Sequence, residues 1–278
     1  MLNRRSFMSV AAAAGVSALA GCASSRETAV TETATITSTS RETVTAYAGP
    51  ERYAGRAPVL FGSSLPGIVE TVPTVPGRRT IALTFDACGG PHGSGVDQQL
   101  VDTLRQHSVA ATLFLSASWM RANPDVTRRL AADPLFRLEN HGTRHLPLTI
   151  NGAAAYGIPG TASPAEAIGE IDGNRALLAE YGVESNWFRA GTAHYDDVAV
   201  EIARGRDVRI AGYTVNADFG ATATPSQVAT SIVDAPDGAI VLAHMNHPHS
   251  GTADGVRRAL EHLRGEAVRF TFLDGTLP

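Results

Sequence analysis

The chain has 278 residues, of which 44% are apolar and 18% charged, and its net charge is −4 at pH 7. That composition is globular rather than disordered, collagen-like or coiled-coil, and the acidic balance argues against a nucleic-acid binder. All 23 basic residues are Arg, which excludes a P-loop and Schiff-base chemistry, since both need a Lys amine.

Residues 1–21 begin with Arg4-Arg5, continue as an apolar run and end in small residues. This reads as an export signal of the twin-arginine type, too short and wrongly flanked for a stable transmembrane helix. Leu19-Ala20-Gly21-Cys22 resembles a bacterial lipobox, in which Cys22 is acylated and holds the protein to the membrane; an ordinary cleaved signal is the alternative. Residues 22–55 are rich in Thr and Ser and poor in large apolar side chains, which suits a flexible tether. An exported, envelope-anchored monomer is expected, with residues 56–278 as its single folded domain.

Within that domain a buried strand is predicted at 80–85, followed by a helix at 95–106 and a strand at 110–115. A helix at 124–132 and a strand at 136–139 come next. Ser163 and Glu166 have the spacing of a capping box, opening a long helix that stops near Gly182. Beyond it, strands at 187–188, 208–215, 239–243 and 268–273 alternate with helices at 198–204, 225–233 and 252–263. Such alternation implies a mostly parallel sheet covered by helices, and about seven strands favour a distorted, incomplete (β/α) barrel over a doubly wound sheet. Neither a GxGxxG after a strand nor a GxSxG is present, so dinucleotide binding and a nucleophile elbow lack support.

Asp86, His141, Arg189, Asp218 and His244 each fall just after a predicted strand. In a parallel barrel the carboxyl ends of the strands form the active face, so these five would meet at one mouth. His141 and His145, four apart, have the spacing that faces one way on a helical turn and binds one metal ion. The bland alternatives are a turn residue for Asp86, a satisfied core histidine for His244, and surface pairing for Arg189.

Thr84-Phe85-Asp86, His141-x-x-x-His145, Phe188-Arg189, Asp218-Phe219 and Leu242-Ala243-His244 occur in the order of the motifs of NodB-type polysaccharide deacetylases, the fourth carbohydrate esterase family. The chain resembles that family over roughly residues 78–275. The resemblance implies a distorted (β/α) barrel, a divalent metal ion and hydrolysis of N-acetyl, less readily O-acetyl, groups on an acetylated polysaccharide. Zinc is the expected ion, with cobalt, nickel or manganese as alternatives. His141 and His145 match metal ligands, Asp86 the general base, and His244 the general acid. Arg189 matches the residue that orients the base, gripping its carboxylate with two hydrogen bonds. Asp218 falls near the position that raises the pKa of the acid imidazole.

Two departures from the family pattern stand out. Its first motif has two adjacent aspartates, the second binding the metal, and here that second place is Ala87, followed by Cys88-Gly89-Gly90. Asp86 itself is the first choice to replace the missing ligand. A Cys88 thiolate, or the two His with waters, are the alternatives, Cys88 being read by preference as a small buried hydrophobe. After Phe188-Arg189 stands Ala190-Gly191-Thr192 where prolines and a Tyr are usual, so the oxyanion would be held by Gly191, Thr192 or the metal. His194 and Tyr195 are placed as cleft-lining, His247 and His249 as loop residues. A catalytically degenerate glycan-binding lipoprotein, and a structural lipoprotein on the same scaffold, are the rival readings.

Overall fold

The computed structural model describes residues 47–278; the expected export signal, Cys22 and the expected tether as far as residue 46 lie outside the described residues. Ordered packing begins ahead of residue 56, because Pro50–Tyr53 forms a 3-10 turn and Tyr53 is buried. Among the described residues no helix is long and apolar enough to cross a membrane.

In chain order, short strands β1 (Phe61–Gly62) and β2 (Ile68–Val69) precede the long strand β3 (Arg79–Ala87). Next come α1 (Gln98–Gln106), β4 (Ala111–Leu115), α2 (Ala117–Ala122), α3 (Pro124–Ala131), β5 (Phe136–Asn140) and α4 (Pro164–Glu180). Strands β6 (Trp187–Phe188) and β7 (Tyr195–Asp196) lead to α5 (Asp197–Gly205), β8 (Arg209–Ala211) and β9 (Val215–Asn216). The chain closes with α6 (Pro225–Val233), β10 (Ala239–His244), α7 (Thr252–His262) and β11 (Val268–Phe270). The main sheet runs β2-β8-β6-β5-β4-β3-β10-β9, with β11 beside the start of β3, and all of its pairings are parallel. β1 and β7 form a separate antiparallel pair. No ladder joins β2 to β9, so the barrel is incomplete, as expected.

The segment predicted as one strand over 208–215 is two strands. Its start pairs with β6 and β2, while its end pairs with β10 on the far edge of the sheet. The chain crosses the open seam of the barrel at Gly212, where an added Cβ would meet the Ile68 side chain at 2.7 Å. The short helix α2 escaped the sequence reading because six residues carry too little periodicity, yet Ser116 caps it through the Trp119 N–H. At α4 Ser163 accepts from the Glu166 N–H, but the Glu166 carboxylate turns to Ala162 and Arg144 instead of closing a capping box. The complete box is at α6, between Thr224 and Gln227.

Period-two alternation sorts the strand side chains. Ile81, Leu83, Phe85 and Ala87 pack outward with Leu100, Leu104, Val228 and Val256 of the helices. Ala82 belongs to an inner cluster with Phe114, Trp187 and Ile240, so Thr84 and Asp86 share that inward face. The register sets His244 opposite Asp86, and Asp86 opposite Phe114. Local sequence thus decides which residues can meet inside the barrel.

Glu139, on β5, is buried, and its carboxylate accepts from the Ser185 hydroxyl and the Asn186 and Trp187 N–H groups. Burial outweighs those bonds and raises its pKa from 4.5 to about 7. Between these values the folded state holds a proton that the unfolded chain has released, so stability falls as pH rises through that window. The loss amounts to roughly 3 kcal/mol by proton linkage and is complete once pH exceeds the folded value. Glu139→Gln keeps an acceptor without the titration. Thermal melting from pH 4.5 to 8 should therefore decline in the parent and stay flatter in the variant.

Candidate active site

Asp86 ends the inward row of β3 and is 3% exposed. Its Oδ1 accepts a 2.8 Å bond from Arg189 Nη1, which also donates to Thr84 Oγ1 at 2.8 Å. The expected two-bond grip is not formed. The other guanidinium donors go to the Ala211 and Gly212 carbonyls at 3.2 and 3.0 Å, spanning the open seam of the barrel. The guanidinium also lies 4.3 Å over the Phe114 ring. Arg189 is therefore a fully buried brace between β3 and the β8–β9 crossing, not a surface pair. Burial pushes the Asp86 carboxyl up, but Arg189, with His141 and His244, more than reverses this and holds it below its ordinary value. Asp86 Oδ2 stays directed inward, 3.7 Å from His141 Nε2.

His141 follows β5 and donates from Nδ1 to the Arg189 carbonyl at 2.8 Å. A carbonyl only accepts, so Nδ1 carries the proton and Nε2 presents its lone pair to the cavity. The expected helical turn for the His pair is absent, because residues 141–147 are irregular loop. Gly142 and His145 both take left-handed backbone, with φ of 82° and 61°, and this bends the loop until the two rings meet edge to face with centroids 4.7 Å apart. Gly191 makes room: a Cβ there would sit 2.2 Å from the His145 carbonyl oxygen.

The loop is held by side chains without an assigned role in the sequence reading. Glu170, buried on α4, accepts the Arg144 and Leu146 N–H groups. Asn140 Oδ1 accepts from Gly142 N–H and from Asn174, which also bonds the Leu115 carbonyl. A readable signal existed: Glu170 and Asn174 interrupt the inward stripe Ala167, Ile171, Leu178 of α4.

His244 ends β10. Its Nδ1 donates to Asp218 Oδ1 at 2.9 Å, and its backbone N–H donates to Oδ2 at 2.7 Å. Thr252, another residue the sequence reading missed, completes the Asp218 carboxylate at 2.9 Å. Burial alone would lower the His244 pKa; the bond to Asp218, aided by Cys88, raises it well above 6.5. With Nδ1 committed to Asp218, Nε2 is the nitrogen available to the cavity.

Cys88 is not an inert core residue. It is half-buried and lines the cavity, with Sγ 3.8 Å from His141 Nε2. Burial would raise its thiol pKa, yet the imidazoles, His145 foremost, bring it well below 9.0. Cys88, His141 and His145 each offer one ligand atom, all within 4.8 Å of one another. Asp86, the first choice for the missing ligand, places Oδ2 as near to His141 Nε2 as the Cys88 sulfur lies, at 3.7 against 3.8 Å.

Of the five residues predicted at strand ends, Asp86, His141 and His244 line one cavity of about 460 Å³, while Arg189 and Asp218 are held behind Asp86 and His244 by hydrogen bonds. Its polar end carries Asp86, Cys88, His141, His145 and His244, and Tyr156, Tyr213 and Phe219 line it as well. Tyr156 and Phe219 are 81% and 60% exposed, and both sit in left-handed backbone with φ of 51°. Thr192, also lining the cavity, has a buried hydroxyl without a protein partner. Tyr195 is instead fully buried and accepts from the Ala190 N–H. His194 does not line the cavity; it packs on Tyr156 and Phe61. His247 and His249 lie in a neighbouring depression with His92.

The polysaccharide deacetylase family profile matches residues 74–211. A chitooligosaccharide deacetylase of Rhizobium leguminosarum bv. trifolii is 39% identical over 71 residues, covering 26% of this chain and 31% of that protein. The peptidoglycan-N-acetylglucosamine deacetylase PgdA of Listeria monocytogenes is 28% identical over 215 residues, covering 76% of this chain and 42% of its own. The chain thus spans less than half the length of these curated relatives. Among solved structures, a family 4 carbohydrate esterase from Streptomyces lividans in complex with acetate superposes with a TM-score of 0.59 at 20% identity, covering 72% of this chain and 98% of that one. BA3943, a family pseudoenzyme from Bacillus anthracis, also gives 0.59 at 20% identity, covering 76% and 72%. The family profile and the order of the motifs agree on a polysaccharide deacetylase domain at residues 74–211, and the solved structures share its fold.

Proposed function

We propose that the protein is a metal-dependent hydrolase that removes N-acetyl, or less readily O-acetyl, groups from an envelope polysaccharide. One observation carries the reading: Asp86 and His244 are register partners on adjacent strands and share a single cavity with His141 and His145. Envelope anchoring through Cys22 is part of the proposal and rests on the lipobox pattern alone.

The donor chemistry suits a divalent ion. Two imidazole nitrogens converge, and each class of atom near them binds zinc, the expected ion, with cobalt, nickel or manganese as alternatives. His141 and His145 would hold the ion. When bound, it polarises the acetyl carbonyl and makes water acidic enough to react near neutral pH. Asp86 Oδ2 takes the proton of the attacking water, while Arg189 keeps the carboxylate charged and aimed. The Thr192 hydroxyl is free to donate to the developing oxyanion. His244 Nε2 hands its proton to the sugar nitrogen as the C–N bond breaks, leaving acetate and a free amine.

The exposed rings of Tyr156 and Phe219 fit the apolar faces of a sugar chain. Holding each in left-handed backbone costs about 1–3 kcal/mol, a strain that clusters at functional sites. Phe219→Ala should raise KM for an acetylated oligosaccharide by about 2–12-fold, the worth of one aromatic contact, and leave turnover of a small acetyl ester unchanged.

The test of the whole reading is acetate release from N-acetylglucosamine oligomers, with and without added Zn²⁺ or Co²⁺. Metal-stimulated acetate is expected. Ala87 in place of the usual carboxylate, and the structural likeness to a pseudoenzyme, favour a second reading, a glycan-binding protein without turnover. Oligomer binding without acetate under either metal would establish that one instead.

A further inference from the structure

We infer that Cys88 is the third protein ligand of the metal, its thiolate standing in for the absent carboxylate, so that the centre is a sulfur-and-two-nitrogen site. This rests on the metal-dependent reading above and specifies what that reading leaves open.

The backbone explains why residue 88 and not residue 87 reaches the site. Ala87 is the last residue of β3 and faces outward into the helix-covered core. The next side chain returns to the cavity on the side of Asp86. Its position is pinned, since the Cys88 carbonyl accepts from the Ser116 and Ser118 hydroxyls at 2.7 and 3.2 Å. Gly89 then turns with φ of 79°, where a Cβ would lie 2.2 Å from Ser118 Oγ. The strand end is therefore built around the Cys.

The spacing fits a shared ion. With zinc bonds of about 2.3 Å to sulfur and 2.0–2.1 Å to nitrogen, a tetrahedral centre separates those two atoms by about 3.5 Å. Cys88 Sγ lies 3.8 Å from His141 Nε2, and all three ligand atoms lie within 4.8 Å of each other. The Arg189 carbonyl already fixes the proton of His141 on Nδ1, away from the sulfur. A thiolate supplies the single negative charge that the carboxylate would have brought. It also leaves Asp86 free as the base, so one carboxylate need not serve two roles. Sulfur ligation selects zinc or cobalt over harder ions such as magnesium or calcium.

The test is cobalt titration of the full-length chain, followed by absorption spectroscopy. One equivalent of Co²⁺ should produce visible d–d bands together with a near-ultraviolet thiolate-to-cobalt charge-transfer band. That band should persist in Cys22→Ser and vanish in Cys88→Ser. Cobalt affinity should fall in Cys88→Ser by at least about 10–100-fold, the loss typical of a ligand's mere hydrogen-bond partner. Cys88→Asp should recover affinity without the band, which separates a lost ligand from a lost fold. Visible bands without charge transfer in the parent would overturn the thiolate assignment and leave the metal-dependent reading standing. No cobalt uptake at all would overturn both. Acetyl transfer from an N-acetylglucosamine oligomer to Cys88 Sγ in metal-free protein, with C–N cleavage and release of the sugar amine protonated by His244, would be detected by peptide mass spectrometry; it would make the Cys a nucleophile and would also overturn the assignment.

Discussion

Asp86→Asn should lower kcat/KM for acetate release by about 10²–10⁴-fold, the range for losing a positioned general base. The amide keeps an oxygen to accept the Arg189 bond but cannot take a proton. With Cys88, His141 and His145 as the ligands, metal content should be unchanged; a loss of metal would instead make Asp86, whose Oδ2 is 3.7 Å from His141 Nε2, a ligand. The pH profile carries the same logic. The base works only when ionised, and its carboxyl is held below the ordinary value, so activity should persist to pH values where an unperturbed carboxylate would already be protonated. The acid works only when protonated, and Asp218 holds His244 well above 6.5, so the basic limb should fall above neutrality. Asp218→Asn removes that support and should move the basic limb to lower pH. An unchanged basic limb would count against His244 as the acid.

Arg189→Met should cost about 3–5 kcal/mol of stability, the price of stripping one partner from a buried ion pair. For a domain of this size that corresponds to a melting temperature lower by roughly 6–20 °C. Three losses combine in it. The Asp86 carboxylate is left buried without its cation, the Ala211 and Gly212 carbonyls lose their donors, and the seam between β8 and β9 loses its brace. Combining Arg189→Met with Asp86→Asn should cost less than the sum of the two, because the stranded charge is gone. The recovery should be partial, since the carbonyls remain unpaired. Strict additivity, measured by denaturant unfolding, would show that the ion pair is not coupled.

Much of this was readable in the chain itself. β3, β4 and β10 are continuous apolar runs, because helices cover them on one side and the barrel interior on the other. Asp86, Arg189 and His244 were visible as polar residues closing such runs. What escaped notice depended on contacts between distant segments. The split of 208–215 arises because Arg189, remote in sequence, occupies the seam that the segment crosses. The His pair meets through left-handed backbone at Gly142 and His145, which spacing alone misreads as a helical turn. Cys88 looked like a small hydrophobe because nothing local reveals that His141, His145 and His244 surround its sulfur. Glu170 and Asn174 are legible only as polar breaks in the apolar stripe of α4, and their hold on the loop of His141 and His145 depends on the tertiary fold.

The most direct measurement is anomalous X-ray diffraction at the zinc edge from crystals of the zinc-loaded protein. A single strong peak is predicted about 2.0–2.1 Å from a ring nitrogen of each of His141 and His145, inside the cavity that also holds Asp86 and His244. A peak bound elsewhere on the molecule, or Asp86 and His244 opening onto different cavities, would contradict the account.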